Sequence, residues 1–331
     1  MMPPEQVEAY IAHLDSGIFG FASFASVRIS LLPQGIWNAN YLAEINGERF
    51  VLKVYGENVP GLLFGNKGKD EAVALRLLQG LHIAPEPVHF AYSPSLGKEV
   101  LIYRFVEGKQ PSAFSPPLVK ATARVLAHLH SLELPAVDLP RKKETMQTLL
   151  NDIQSTLDKC IILGVPEAEL HPFRGLVEKA KQYVAGQEEM EHPFALVHGD
   201  LSPCNLIVDE NNAVRIIDWQ RPTFTDAAFD VWAFMEDAFI RWDLPEPLTD
   251  GLKTQFIKTY TSLVHDHTIL ERLRQKSPLY YLNIGLYCLM RYHEFLSGKI
   301  GPERTKGKEH LWKKYDTVRR VCVDRLMGIF L

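Results

Sequence analysis

The hydrophobic period of the chain changes once, and that change limits what it can fold into. From Val27 to Val106, β-branched and aromatic runs broken by turn residues read as strands, whereas helical spacing prevails from Ser115 onward. A strand-rich segment followed by a helix-rich one is the pattern of an α+β protein. At 331 residues the chain also exceeds the size at which one hydrophobic core remains efficient, so two lobes around a cleft are expected. The boundary falls near Glu107-Gly108, giving a small β-rich N-terminal lobe over residues 1–106 and a larger, mostly helical lobe over residues 107–331.

Composition removes several classes of function. A net charge of −4 with both signs scattered along the chain offers no basic face for a nucleic acid backbone, so nucleic acid is not an expected partner. Cys160, Cys204, Cys288 and Cys322 lie far apart without C-x-x-C spacing, which favours reduced thiols over a disulfide framework or a zinc site. The N-terminus lacks the basic and apolar regions of a signal peptide, and no apolar run reaches the length of about 18 residues that a membrane span requires. A cytoplasmic protein without a membrane partner is expected.

Asn46-Gly47 between two strand-like runs is a strong type I′ hairpin signal. With a two-residue turn, Ile45 faces Glu48 and the register pairs Asn40 with Lys53, placing both side chains on one face. The loop Gly35 to Asn40 then arches over the place to which Lys53 points, offering backbone N–H groups beside a cation, a combination suited to phosphate. Glu71 lies on the apolar stripe Ala74, Leu75, Leu78 and Leu81 of the following helix; a carboxylate buried there needs a cation, and Lys53 is the candidate.

The most specific segment is His198-Gly199-Asp200-Leu201-Ser202-Pro203-Cys204-Asn205, followed by Ile216-Ile217-Asp218-Trp219. Leu206 to Val208 and Ala213 to Ile217 read as two strands joined by Asp209 to Asn212. If that register extends outward, Asn205 faces Ile216, and Asp218 projects on the same side about 7–8 Å away, a spacing that can hold one hard cation.

His198-x-Asp200 with Asn205 five positions later repeats the H-x-D-x-x-x-x-N spacing of the kinase catalytic loop, and Asp218 stands where a magnesium-binding aspartate follows. In its His-Gly-Asp and Ile-Asp-Trp forms the chain resembles the aminoglycoside phosphotransferase/choline kinase family. The resemblance implies a two-lobed protein-kinase-like fold, with ATP and Mg2+ used to phosphorylate a hydroxyl of a small molecule such as an amino sugar or amino alcohol. It implies that Asp200 is the catalytic base, supported by His198 and Asn205, and that Asn205 and Asp218 hold magnesium. Lys53 and Glu71 serve the nucleotide, as do Gly35, Asn38 and Asn40, while backbone groups around Arg104 to Val106, on an edge strand, meet adenine. Asp230 braces the catalytic loop, and His130 reads as a core histidine.

If Asp230 and Asp237 share one helical face, Glu236 and Asp237 together with nearby aromatic residues are candidates for recognising an amine-bearing acceptor. A departure is that Gly35 to Asn40 is not the G-x-G-x-x-G of protein kinases. Two alternatives remain: a serine/threonine protein kinase, against which the missing Ala-Pro-Glu signal counts, and a nucleotide-binding pseudokinase, against which the complete set of catalytic residues counts.

Overall fold

The computed structural model describes residues 2–33, 37–56, 67–300 and 309–330. These residues divide into two compact units. The first comprises Met1–Lys109, Ala136–Leu139 and Ile207–Pro222; the second comprises Gln110–Pro135, Pro140–Leu206 and Thr223–Leu331. The first unit therefore takes in a later segment containing Asp218, which a single cut at residue 106 does not anticipate.

In the first unit, helix α1 (Pro4–Ala12) precedes strands β1 (Val27–Leu31), β2 (Ala39–Ile45) and β3 (Glu48–Val54), then α2 (Gly68–Leu77), β4 (Pro87–Ser93) and β5 (Lys98–Arg104). The five strands form one antiparallel sheet in the order β1-β2-β3-β5-β4. Asn46 and Gly47 both adopt positive φ, 50° and 87°, as the type I′ turn requires. The register is the one the turn dictates: Ile45 pairs with Glu48 and Asn40 with Lys53.

The segment leading to Val106 is not an edge strand. β5 lies between β3 and β4, and its Val100, Leu101 and Ile102 are fully buried. An unbroken apolar run of this kind belongs to a strand covered on both faces, and β4, with its more mixed sequence, takes the edge. The core of this unit combines α1 with the inner sheet face through residues such as Val7, Ile11, Tyr41, Phe50 and Ile102.

The second unit begins with α3 (Pro116–His130), α4 (Met146–Leu163), α5 (Glu167–Ala185) and β6 (Ala195–Val197). The short hairpin β7 (Leu206–Val208) and β8 (Val214–Ile216) then runs through the chain segment assigned mainly to the first unit. Next come β9 (Thr223–Thr225), which pairs with β6, and helices α6 (Ala228–Met235), α7 (Asp237–Asp243), α8 (Asp250–Thr261), α9 (Ile269–Leu296) and α10 (Glu309–Phe330). Helix α9 packs against α4, α6 and α10. Its stripe of Tyr280, Tyr281, Ile284, Tyr287 and Phe295 is buried, so these residues build the core of the unit. No described helix is long and apolar enough to cross a membrane.

Candidate active site

Within the first unit a buried cation is held between two carboxylates. Lys53, on β3, is 2% exposed and Glu71, on α2, is 1% exposed; the lysine Nζ donates to Glu71 Oε2 at 2.7 Å. The alternation that turns Lys53 off the solvent face and the helical stripe that buries Glu71 bring the pair together. Tyr55 donates its hydroxyl to the same Glu71 oxygen at 2.5 Å. Lys53 also pairs with Asp218 Oδ1, and Asp218 is the most exposed member of the set, with 33% of its side chain accessible. Burial pulls the lysine pKa down, but the Asp218 and Glu71 carboxylates outweigh it and hold Lys53 above its ordinary value. Burial beside Glu71 likewise pushes the Tyr55 phenol well above its usual range.

Asp218 has a left-handed backbone, φ 64°, and lies beyond the end of β8. A non-glycine residue in this region is uncommon and is characteristic of functional turns. Gln220 donates its side-chain amide to Asp218 Oδ1 and accepts from Asn38 Nδ2 at 3.1 Å. Asn38 Oδ1 in turn accepts from Gly56 N at 3.1 Å, so the amide end of Asn38 reaches Asp218 through Gln220 while its oxygen end holds the chain after β3. Gly35 lies outside the described residues. Arg104 gives its backbone N–H to Glu86 O at 2.8 Å and Phe105 gives its own to Arg49 O at 3.0 Å, so neither N–H is available to an adenine ring. Val106 is buried at the end of this segment.

Within the second unit the loop from His198 to Asn205 is held by its main chain. Asp230, fully buried in the first turn of α6, accepts His198 N at 2.7 Å on Oδ2 and Gly199 N at 3.0 Å on Oδ1. Gly199 supplies the positive φ, 77°, that lets two consecutive N–H groups turn to one carboxylate. Burial raises the Asp230 pKa, but hydrogen bonding and charge from His130, with help from the His198 side, leave it below the ordinary carboxylate value. The two nitrogens of His130 are within bonding distance of Asp230 Oδ2, at 3.3 Å, and the Tyr260 hydroxyl, at 2.8 Å. This core histidine therefore also supports the brace.

His198 is fully buried, and its Nδ1 accepts the Asp200 N–H at 3.2 Å. That bond ties the His198 ring to the main chain of the loop. Asn205 lies in a short 3-10 turn, Pro203–Asn205, before β7, not on the strand itself. The expected strand-pair geometry for Asn205 and Asp218 is thus replaced by two turns, because Pro203 locks the backbone into a bend and β8 ends at Ile216. Asn205 Nδ2 donates to Asp200 O at 2.7 Å, which turns its carbonyl oxygen away from that bond.

Sequence spacing did not reveal the network behind the brace. Asp226 accepts from Arg272 Nε and Nη2 at 3.0 and 2.9 Å and from Lys276 Nζ at 2.8 Å, and all three residues are at most 1% exposed. Asp226 Oδ1 also accepts Ala228 N at 3.0 Å at the start of α6, two residues before Asp230. Burial raises the Asp226 pKa, yet the hydrogen bonds and charges of Arg272 and Lys276 drive it far below the carboxylate range. The sequence shows only that Asp226 stands just before α6; its partners lie 46 and 50 residues away.

The single helical face expected for Asp230 and Asp237 does not exist. Glu236 is extended (φ −102°, ψ 146°) and separates α6 from α7. Glu236 Oε2 accepts from Tyr281 at 2.7 Å and Lys253 at 3.4 Å, and Asp237 Oδ2 accepts from Arg325 at 2.6 Å. Both carboxylates therefore face cations of the fold, and an acceptor ammonium would compete with them.

Residues 28–265 match the model of the phosphotransferase enzyme family. The chain belongs to that family. Among solved structures, it is similar to a spectinomycin phosphotransferase in complex with ADP and spectinomycin, at 13% identity and a TM-score of 0.66 over 98% of this chain and 99% of the other. It is also similar to a choline kinase from Cryptosporidium parvum, at 17% identity and a TM-score of 0.63 over 99% and 100%, and to the choline kinase LicA from Streptococcus pneumoniae, at 18% and 0.63 over 96% and 99%. No curated protein matches in sequence. At these identities the likeness establishes the kinase-like fold.

Proposed function

We propose that this phosphotransferase moves the γ-phosphoryl group of ATP, with Mg2+, to a hydroxyl of a small molecule. The observation that carries the reading is Lys53 buried between Glu71 and the accessible carboxylate of Asp218. A desolvated cation of this kind is a costly arrangement whose natural use is to meet a polyphosphate. The small-molecule acceptor draws support from the names of the structural relatives, which include spectinomycin and choline.

Magnesium would take oxygen donors of the kind it prefers, a carboxylate oxygen from Asp218 and the side-chain carbonyl oxygen from Asn205, whose amide nitrogen is committed to Asp200 O and whose oxygen lies 3.7 Å from Cys204 Sγ. When bound, the ion supplies positive charge to the phosphate oxygens. Lys53 meets the α- and β-phosphates while Glu71 keeps it oriented. Asp200 orients the acceptor hydroxyl and takes its proton as the new O–P bond forms, the bond from the γ-phosphorus to the bridging oxygen breaks, and ADP leaves with that electron pair. Val106 and Asn40 are proposed near the nucleotide.

The test is ADP formation by purified protein with Mg-ATP across amino sugars, amino alcohols, hydroxy amino acids, vitamins and proteins. Turnover that depends on one small hydroxyl compound is expected. Phosphorylation confined to the protein substrates would replace the acceptor class, and failure of the nucleotide to bind at all would remove the reading.

A further inference from the structure

Cys204 immediately precedes Asn205, and its two flanking peptide groups are held by side chains from distant parts of the second unit. Its N–H donates to Asp243 Oδ2 at 3.0 Å, at the end of α7. Its carbonyl accepts from Gln110 Nε2 at 2.6 Å. Holding the peptide on each side of one Cα fixes φ and ψ there and sets the direction in which the next residue leaves. Asn205 N adds a turn bond to Ser202 O at 3.0 Å, and the side-chain bond to Asp200 O fixes the amide so that its Oδ1 lies on the other side, 3.7 Å from Cys204 Sγ. Asp243 is held in turn by α10: Lys314 Nζ lies 3.5 Å from its other oxygen and 5.4 Å from the Trp242 ring, and Trp242 packs edge-on against Tyr315 at 4.8 Å. Gln110, by contrast, is an exposed residue that gives up water to make its bond.

We infer that Asp243 and Gln110 are positioning residues for Asn205, setting the direction of its carbonyl oxygen and hence the affinity of the site for its divalent cation. The inference rests on the reading of Asn205 as a metal ligand. Outer partners of a metal ligand commonly change metal affinity by about 10- to 100-fold when removed. Each acts through the Cys204 main chain and not by contact with substrate or metal. The two contacts of the Asp243 carboxylate are separable by substitution, because Asp243→Asn loses the ion pair with Lys314 yet keeps an oxygen able to accept the Cys204 N–H.

The experiment measures Mn2+ binding by electron paramagnetic resonance in the full chain saturated with a non-hydrolysable ATP analogue, beside metal-free nucleotide affinity and thermal unfolding. Asp243→Ala is expected to weaken Mn2+ by at least about 10-fold, and Gln110→Met by about 3-fold or more, with metal-free nucleotide affinity unchanged. Asp243→Asn is expected to restore most of the loss, and Lys314→Met to stay close to wild type. Asn205→Ala is the reference for loss of the ligand itself. Wild-type Mn2+ affinity in Asp243→Ala and Gln110→Met, with Asn205→Ala weakened, overturns the positioning inference while leaving the metal reading in place. Wild-type affinity in Asn205→Ala overturns both. Should Asp243→Ala fail to fold, Gln110→Met at its exposed position decides alone, and unchanged Mn2+ affinity there counts against the inference.

Discussion

The two units hold their charged machinery by opposite means. In the first, side chain meets side chain: Lys53 is fixed directly by Glu71 and Asp218, and Tyr55 tightens the glutamate. In the second, side chain meets main chain: Asp230 grips the N–H groups of His198 and Gly199, and Asp243 grips that of Cys204. Charge placement in the first unit thus depends on a few titratable groups, whereas loop geometry in the second depends on carboxylates anchored by a wider network. Loss of a partner should therefore act directly on a charged ligand-binding group in the first unit, and through loop geometry or global stability in the second.

The largest expected effect tests the anchoring. Arg272→Met leaves Asp226 with Lys276 as its one cation among the described residues in a fully buried site, and removing one member of such a set costs about 3–5 kcal/mol. Urea unfolding checks it; a change below about 1 kcal/mol would mean that the network adds little to the second unit.

Next comes the separation of roles. Asp218→Ala is expected to abolish magnesium-dependent nucleotide binding, while Asp200→Ala keeps nucleotide affinity and loses at least ~100-fold in turnover. Calorimetric titration with Mg-ATP and a rate assay measure the two quantities. Equal loss of nucleotide binding in both folded variants would erase the contrast drawn between the units.

A smaller effect sharpens the first unit. Lys53→Ala and Glu71→Ala should each lower kcat/KM, and the double variant should resemble the worse single because both act through one ion pair. Additive losses would show that Glu71 serves something other than Lys53.

The smallest concerns pH. Asp226 and Asp230 both have folded pKa values below the ordinary 3.8, so the unfolded chain binds protons first as acid is added. Their stabilisation is present above about pH 4 and is lost as the pH falls through the depressed folded values. Burial raises the Glu144 pKa and so works in the other direction, making the net slope smaller. Unfolding free energies at pH 6 and pH 3 are expected to fall with acid in wild type and to fall less in Asp230→Asn; equal slopes would remove Asp230 from the acid response.

Much of this arrangement was legible in the chain. Asn46-Gly47 determined the pairing of Asn40 with Lys53, because a two-residue turn leaves one register. Helical period put Glu71 on a buried stripe, and the spacing from His198 to Asn205 marked the loop as that of a phosphotransferase. These are short-range relations, which backbone geometry alone can enforce. Only the tertiary structure decided that β5 is interior, since that depends on where β4 docks, and that Glu236 breaks one expected helix into two. It alone joined Arg272 and Lys276 to Asp226, and Gln110 and Asp243 to Cys204. Partners separated by dozens of residues share no period in the sequence; what unites them is the requirement that every buried charge and main-chain donor find its complement once the helices have packed.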